Sequence, residues 1–263
     1  MVKNKKLGLA LGSGGAKGLA HIGILKVLER ENILVSFIAG SSIGALVGGL
    51  YAAGISADYL EEIACSTNWK ELLSLIDPTI RQGLIRGEKI IRFLERLVGR
   101  KNFQDLSIPF KAIATDLLTG EMVAIGQGEV AIAIRASGAY PLIFQPVEWE
   151  GRLLVDGGLS APVPAEIVRE MGAEVVLAVN LDSEHFSMNF RPGPFSYRRI
   201  VNNSINALRY HLARENARHA DLVINPKVGV VGWDKFLEPE ELIAKGKEAM
   251  EKKFPELLTL LQL

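Results

Sequence analysis

Ser42 stands between two glycines in Gly40-Ser41-Ser42-Ile43-Gly44, after the apolar run Phe37-Ile38-Ala39 and before Ala45-Leu46-Val47. Gly-x-Ser-x-Gly at a strand-to-helix junction is nucleophile-elbow spacing, in which a sharp turn strains the serine backbone and lifts Oγ clear of the sheet edge. Gly40 and Gly44 would let neighbouring backbone approach with no Cβ in the way. A helix beginning near Ile43 would aim its unpaired N–H groups at the serine, where negative charge develops in acyl transfer. In a chain with 26 glycines the same spacing also describes an ordinary tight turn, so the remaining residues must decide.

A serine hydroxyl is a poor nucleophile until a base takes its proton. The chain holds four histidines. His21 follows a glycine-rich turn and reads as a structural side chain. His185, His211 and His219 come after Asp156, so the order Ser, Asp, His of an α/β-hydrolase triad is formally available. Yet His211 and His219 sit in the charged segment Arg209 to Asp221, which reads as a solvated helix face, and His185 lies in an irregular stretch. Asp156 ends an apolar strand, and Gly157 and Gly158 leave its carboxylate unobstructed. Asp-Gly at a strand end is by itself a turn signal. Beside a serine nucleophile, though, a partly desolvated carboxylate can serve alone as base. The residues favour a Ser42–Asp156 dyad.

The oxyanion of such a reaction needs donors, and Gly12-Ser13-Gly14-Gly15-Ala16-Lys17-Gly18 follows the first strand. A dinucleotide fingerprint would require an acidic residue at the end of the second strand, which instead ends in Gly40-Ser41-Ser42. A P-loop would require a hydroxyl after Lys17, where Gly18 stands. An oxyanion hole built from the N–H groups of Gly14, Gly15 and Ala16 is the reading that uses the second strand as written. Glycines serving only close helix-to-strand packing remain its alternative.

These residues need a scaffold. Leu7–Leu11, Ile33–Ala39, Phe110–Thr115, Met122–Ile125, Gln145–Trp149, Arg152–Val155, Val175–Leu181 and Leu222–Asn225 read as strands. Leu19–Leu28, Ile43–Ala53, Asp58–Cys65, Glu88–Val98, Glu129–Ser137, Ala165–Met171 and Pro239–Lys253 read as helices, with a short apolar piece over Trp69–Ile76. Strands alternating with helices imply an α/β fold in three layers, a mostly parallel central sheet covered on both faces with ligands at the carboxyl ends of its strands. A chain of 263 residues, 48% hydrophobic, suits one domain over 1–263. Thirty basic and thirty acidic residues cancel, which argues against a nucleic-acid partner. The one cysteine, Cys65, has no intrachain partner and reads as a small buried side chain in a reducing compartment. Met1 to Leu11 is too short in its apolar part for a secretory signal, and no stretch has the length of a membrane span.

Five ordered motifs together resemble the bacterial patatin-like phospholipases, whose eukaryotic relatives include lysophospholipases of the neuropathy-target-esterase type. They are Leu11 to Gly18 with His21-Ile22-Gly23; Gly40 to Gly44; Ala114-Thr115-Asp116-Leu117 with Thr119-Gly120-Glu121; Arg135-Ala136-Ser137; and Val155 to Gly158 with Pro162-Val163-Pro164. The series lies within residues 7–182, about two thirds of the chain, and the remainder would complete the fold. The resemblance implies a patatin-like fold, Ser42 as nucleophile, Asp156 as base and the glycine loop as oxyanion hole, with no metal or cofactor. Ser13 stands where the family's glycine pattern usually begins with glycine, so Gly14, Gly15 and Ala16 carry the hole. Lys17 stands where the family often has arginine.

The expected reaction is hydrolysis of a fatty-acyl ester through an acyl-enzyme. A lipid acyltransferase using the same intermediate and a non-catalytic lipid-binding regulatory protein are the alternatives. A lone cysteine and the absence of a signal segment suggest a cytoplasmic protein, and lipid substrates imply an apolar groove near the membrane, with peripheral contact at its inner face as one option. Phe186 to Arg199, which mixes aromatic residues with arginines, has the composition of an interfacial surface, and equally that of a packed loop or a homodimer contact.

Overall fold

Bulky and small residues alternate along the first strand, and that alternation sets the layers. In the computed structural model, which describes residues 5–66, 85–183, 197–229 and 238–263, Leu7, Leu9 and Leu11 of β1 (Leu7–Leu11) enter one hydrophobic cluster while Ala10 enters another. The same split divides β7 (Val175–Val179), with Val175, Leu177 and Val179 on one side and Val176 and Ala178 on the other. Side chains on alternate residues point to opposite faces of a sheet, so two cores form, one on each face. Each fully buried Leu or Val contributes about 1.5–3 kcal/mol relative to exposure, and strands buried on both faces supply that twice over.

The first face is covered by α1 (Ala20–Arg30), α2 (Ile43–Ala52), α3 (Ala57–Cys65), α4 (Glu88–Val98), α5 (Val130–Ser137) and α8 (Pro239–Leu261). The second face carries α6 (Ala165–Glu170) and the end of α7 (Tyr197–Asn216), whose Ala213 is fully buried. Between them lies a sheet in the order β5 (Val147–Trp149), β6 (Arg152–Asp156), β3 (Phe110–Asp116), β2 (Val35–Ser41), β1, β7, β8 (Leu222–Ile224), with β4 (Met122–Ile125) also paired to β3. The pairings of β1 with β2, β1 with β7, β7 with β8 and β2 with β3 are parallel; those of β3 with β4, β3 with β6 and β5 with β6 are antiparallel. The α/β layering expected from the sequence is present, and the sheet is parallel in its β2–β1–β7–β8 half and mixed around β3.

The β3 register has a consequence for the site. Ala112 pairs with Gly40 of β2 and Ile125 of β4, while Ala114 pairs with Val123 of β4 and Asp156 of β6. A strand has two edges, and β4 occupies one of them from Ala112 to Thr115, so β2 and β6 share the other. They run toward each other along it, β2 ending with Ser41 opposite Ile113 and β6 ending with Asp156 opposite Ala114.

Three expectations need correction. α8 continues past Lys253 to Leu261 despite Pro255, because Leu257 and Leu261 are buried and extend the apolar face. The segment Arg209 to Asp221 is not merely a solvated face: Ala213 and Ala217 pack into the second core. Cys65 is exposed, one step round the helix from the buried Ala64. The piece expected over 69–76, and residues 186–196 of the expected interfacial stretch, lie outside the described residues. No described helix is long and apolar enough to cross a membrane.

Candidate active site

Ser42 joins β2 to α2 with φ 55° and ψ −119°, a backbone conformation that L-residues rarely hold and that the surrounding structure must enforce. The enforcement is visible on both flanks. A Cβ on Gly44 would lie 2.0 Å from the carbonyl oxygen of Leu11, and one on Gly40 would lie 2.3 Å from that of Gly44. Only glycine lets α2 start this close to β1. The Ser42 N–H donates to Ser137 Oγ at 2.8 Å, so α5 also holds the turn. Ser41 Oγ donates to the carbonyl of Ala161 at 2.5 Å.

Ser42 Oγ donates to Asp156 Oδ2 at 2.6 Å. The other carboxylate oxygen, Oδ1, accepts the Gly158 N–H at 2.8 Å, and the Asp156 N–H donates to the carbonyl of Ala139 at 3.1 Å. Thr115 Oγ1 donates to the carbonyl of Asp156 at 2.9 Å. Gly157 must be small, since a Cβ there would lie 2.0 Å from the carbonyl of Ile113. Asp156 is 2% exposed. Burial pushes its carboxyl above the ordinary aspartate value, against the opposing pull of the Ser42 hydroxyl, the Arg209 guanidinium and the Gly158 N–H. A carboxylate with raised proton affinity is better suited to accept the proton of a hydroxyl.

The glycine loop adjoins this turn. Gly12 and Ser13 donate their N–H groups to the carbonyls of Val179 and Pro162, and a short 3-10 turn then runs over Gly15–Leu19 with Gly14 as its cap. The first N–H groups of such a turn, those around Gly14, Gly15 and Ala16, have no partner within it. No side chain caps it. A Cβ on Gly18 would collide with the Ile43 side chain, so the loop rests directly on the first residue of α2. Ala161 and Pro162 thus bind both Ser41 and Ser13, tying elbow and loop to the segment that follows Asp156. Lys17 donates to the carbonyl of Leu181 at 3.1 Å and lies 3.7 Å from Asp182 Oδ1.

The described histidines fall elsewhere. His21 is fully buried behind the loop with Nε2 2.8 Å from the Gly12 carbonyl oxygen, and burial pushes its pKa down to about 4. His211 lies on α7 and His219 in the turn after it. Among the described residues no imidazole hydrogen-bonds to Ser42 or Asp156. His185 is outside them.

Two contributors went unassigned in the sequence. Ser137 was visible only as part of Arg135-Ala136-Ser137, although its place at the end of an apolar helix, just before Gly138, marks a hydroxyl free to leave the helix. Arg209 was hidden among charged neighbours.

A family model described as patatin-like phospholipase matches residues 9–169. An uncharacterized NTE family protein of Mycobacterium tuberculosis is 43% identical over 178 residues, covering 67% of this chain and 49% of the relative. Human patatin-like phospholipase domain-containing protein 6 is 34% identical over 188 residues, 68% of this chain and 13% of the relative. The chain thus spans about half of the mycobacterial relative and a small part of the human one. Among solved structures, VipD of Legionella pneumophila superposes with a TM-score of 0.64 at 13% identity, covering 98% of this chain and 67% of that one, a likeness of fold. With the family match spanning the glycine loop, the elbow and the Asp156 turn, the chain belongs to the patatin-like phospholipase family.

Proposed function

We propose that this chain is a lipid acyl hydrolase of the phospholipase A or lysophospholipase type, acting through Ser42 and Asp156. The observation that carries the reading is the 2.6 Å hydrogen bond from Ser42 Oγ to a buried carboxylate. Asp156 takes the proton as Ser42 attacks the acyl carbonyl, and the N–H groups of Gly14, Gly15 and Ala16 receive the oxyanion. Collapse of the tetrahedral adduct expels the alcohol, which leaves with the proton from Asp156. Water, deprotonated by the same carboxylate, then attacks the acyl-enzyme and frees the fatty acid, restoring Ser42.

The hydrogen bond that orients the Asp156 carboxylate comes from backbone rather than from a third side chain. The Gly158 N–H on Oδ1 leaves Oδ2 facing the serine, which is the task a histidine's partner performs in a triad. The test is release of p-nitrophenol from a fatty-acyl ester, followed by chromatography of products from a panel of phospholipids and lysophospholipids. The expected result is a free fatty acid product with wild type and none above background with Ser42→Ala or Asp156→Asn. Full activity in either variant overturns the reading.

A further inference from the structure

Arg209 lies on α7 with its side chain 11% exposed. Its Nη2 donates to Asp182 Oδ2 at 2.5 Å, and Asp182 Oδ1 faces Lys17 at 3.7 Å. One carboxylate is therefore shared by a cation of the glycine turn and a cation of α7, which leaves the cluster net positive. Arg209 Nε is buried with no partner among the described residues. A buried ion pair is weak evidence for stability, because desolvation offsets its attraction, so the placement asks for another reason.

The surroundings supply one. α7 packs against the 157–159 turn that follows Asp156. From the same helix, Asn202 Oδ1 accepts the Tyr140 hydroxyl at 2.8 Å, and Tyr140 is adjacent to Ala139, whose carbonyl accepts the Asp156 N–H. α7 is thus fastened on both sides of Asp156. The Asp156 carboxylate accepts from the Ser42 hydroxyl and the Gly158 N–H, and the titratable groups that act on it through space are Arg209 from α7, Asp182 just beyond β7 and Tyr140 from the segment after α5. Arg209 is the cation among them.

We propose that Arg209 is a positioning residue for the Asp156 base: anchored by Asp182, it sets a positive charge against the buried dyad and, through Lys17, locks the glycine turn to α7. The inference rests on the Ser42–Asp156 reading. Burial alone would weaken the guanidinium's charge, but the carboxylates of Asp182 and Asp156 more than offset it and hold Arg209 above the usual arginine value. In return Arg209 limits how far burial raises Asp156, while Asp182 raises it further. Arg209 and Asp182 therefore act on Asp156 with opposite signs.

That opposition separates an electrostatic role from a merely structural pair. The experiment is the pH profile of kcat/KM for p-nitrophenyl ester cleavage by the 263-residue wild-type chain, Arg209→Met, Arg209→Gln, Arg209→Lys and Asp182→Asn, with thermal melts to verify folding. Arg209→Met moves the acid limb upward by about one pH unit or more, a loss of about tenfold on the acid side beyond any change in the plateau. Arg209→Lys keeps the limb near wild type. Asp182→Asn does not move it upward, because the cation remains and a negative neighbour is gone. An unmoved limb in Arg209→Met, or an upward shift in Asp182→Asn, overturns the proposal; if Arg209→Met does not fold, Arg209→Gln removes the same charge and is judged by the same upward shift. Should wild type leave the ester intact, the hydrolase reading falls by itself. Carboxyl NMR titration of Asp156 in wild type and Arg209→Gln, which needs no turnover, then decides the matter: Asp156 titrating higher in Arg209→Gln than in wild type supports the role, and titrating unchanged or lower overturns it.

Discussion

Ser41 and Asp156 occupy adjacent rungs on one edge of β3, opposite Ile113 and Ala114. The two strands that carry them run head to head, so the end of each is the point of closest approach. Ser42, one residue beyond Ser41, turns out of the sheet there and meets the Asp156 side chain. A single strand thereby sets the separation of two groups that are 114 positions apart in sequence. Sheet register, rather than loop conformation, fixes this contact, as a site held to the tolerance of the proposed proton transfer would need.

The strained backbone of Ser42 gives the first expectation. A non-glycine residue in such a region costs on the order of 1–3 kcal/mol, and Ser42→Gly relieves it while Ser42→Ala does not. Both variants lose the hydroxyl and fall by at least about a thousandfold in ester cleavage. Chemical denaturation should find Ser42→Gly the more stable of the two by about 1–2 kcal/mol, after allowance for the extra freedom glycine gives the unfolded chain. Equal midpoints would mean that the elbow stores no strain.

Asp156 makes activity and stability depend on pH in opposite senses. Its folded-state pKa is raised by burial, so in the window between the ordinary aspartate value and that raised value the folded protein binds more protons than the unfolded chain. Stability contributed by this group is therefore present below the window and lost as pH rises through it. The proposed base would work only when ionised, so kcat/KM should fall as pH drops through the same window. Asp156→Asn removes the activity and, since an amide can receive the Gly158 N–H and donate to Ser42 Oγ, keeps both contacts. Its melting temperature relative to wild type should climb with pH across the window and level off above it, each 1 kcal/mol appearing as roughly 2–4 °C. A difference that is constant with pH would show that the carboxyl is not raised.

The parts legible in the sequence are those where one local pattern carries its own constraint. Gly40-x-Ser42-x-Gly44 requires close backbone on both flanks, and Gly157 after a strand-ending Asp156 requires the same. Such needs exclude other residue types and so leave a mark. Ser137 and Arg209 left less, because their partners are chosen by tertiary packing: α5 and α7 are brought to the dyad by cores that no local window contains. The spacing Arg209, Ala213, Ala217 does form a stripe at four-residue intervals, and its two alanines are buried. In a segment crowded with charges that stripe is easily read as solvated. The antiparallel pairing of β5 with β6 is legible in Glu150-Gly151, a hairpin signal between two strands, whereas the antiparallel pairing of β6 with β3 is not, since it depends on β6 entering the β2 edge of β3 from the opposite end rather than on the composition of either strand.

Gly44 and Gly15 should separate packing from conformation. An added Cβ at Gly44 meets the Leu11 carbonyl oxygen at 2.0 Å and that of Gly12 at 2.8 Å, and backbone cannot step aside as a flexible side chain does. Gly44→Ala should cost about 1–3 kcal/mol and lower kcat by displacing the start of α2. Gly15 has φ +59° and nothing within 4 Å of the added carbon. Gly15→Ala should cost only about 1–2 kcal/mol from its left-handed backbone, and its KM should stay near wild type. Denaturant melts with steady-state kinetics check both. A Gly44→Ala variant with unchanged kcat would show that α2 does not position Ser42.

His21 links the glycine loop to the acid stability of the whole chain. Its Nε2 lies 2.8 Å from the Gly12 carbonyl oxygen, so Nε2 carries the proton and Nδ1, which is buried without a partner among the described residues, carries a lone pair. Protonating Nδ1 would place an unpaired cation in the core, and burial accordingly pushes the pKa from 6.5 to about 4. Between those values the unfolded chain binds the proton and the folded protein does not, so stability is full above about pH 6.5 and falls by about 3 kcal/mol as pH drops toward 4. Asp156 works the other way, since acid favours its folded form, so the loss attributed to His21 is read from a variant rather than from wild type alone. His21→Gln can still donate to the Gly12 carbonyl but has nothing to titrate. Its unfolding free energy, measured in denaturant at several pH values, should therefore lack this acid slope while retaining ester cleavage at neutral pH within about tenfold of wild type, since the loop keeps its hydrogen bond. The same slope in His21→Gln as in wild type would assign the acid sensitivity to another group.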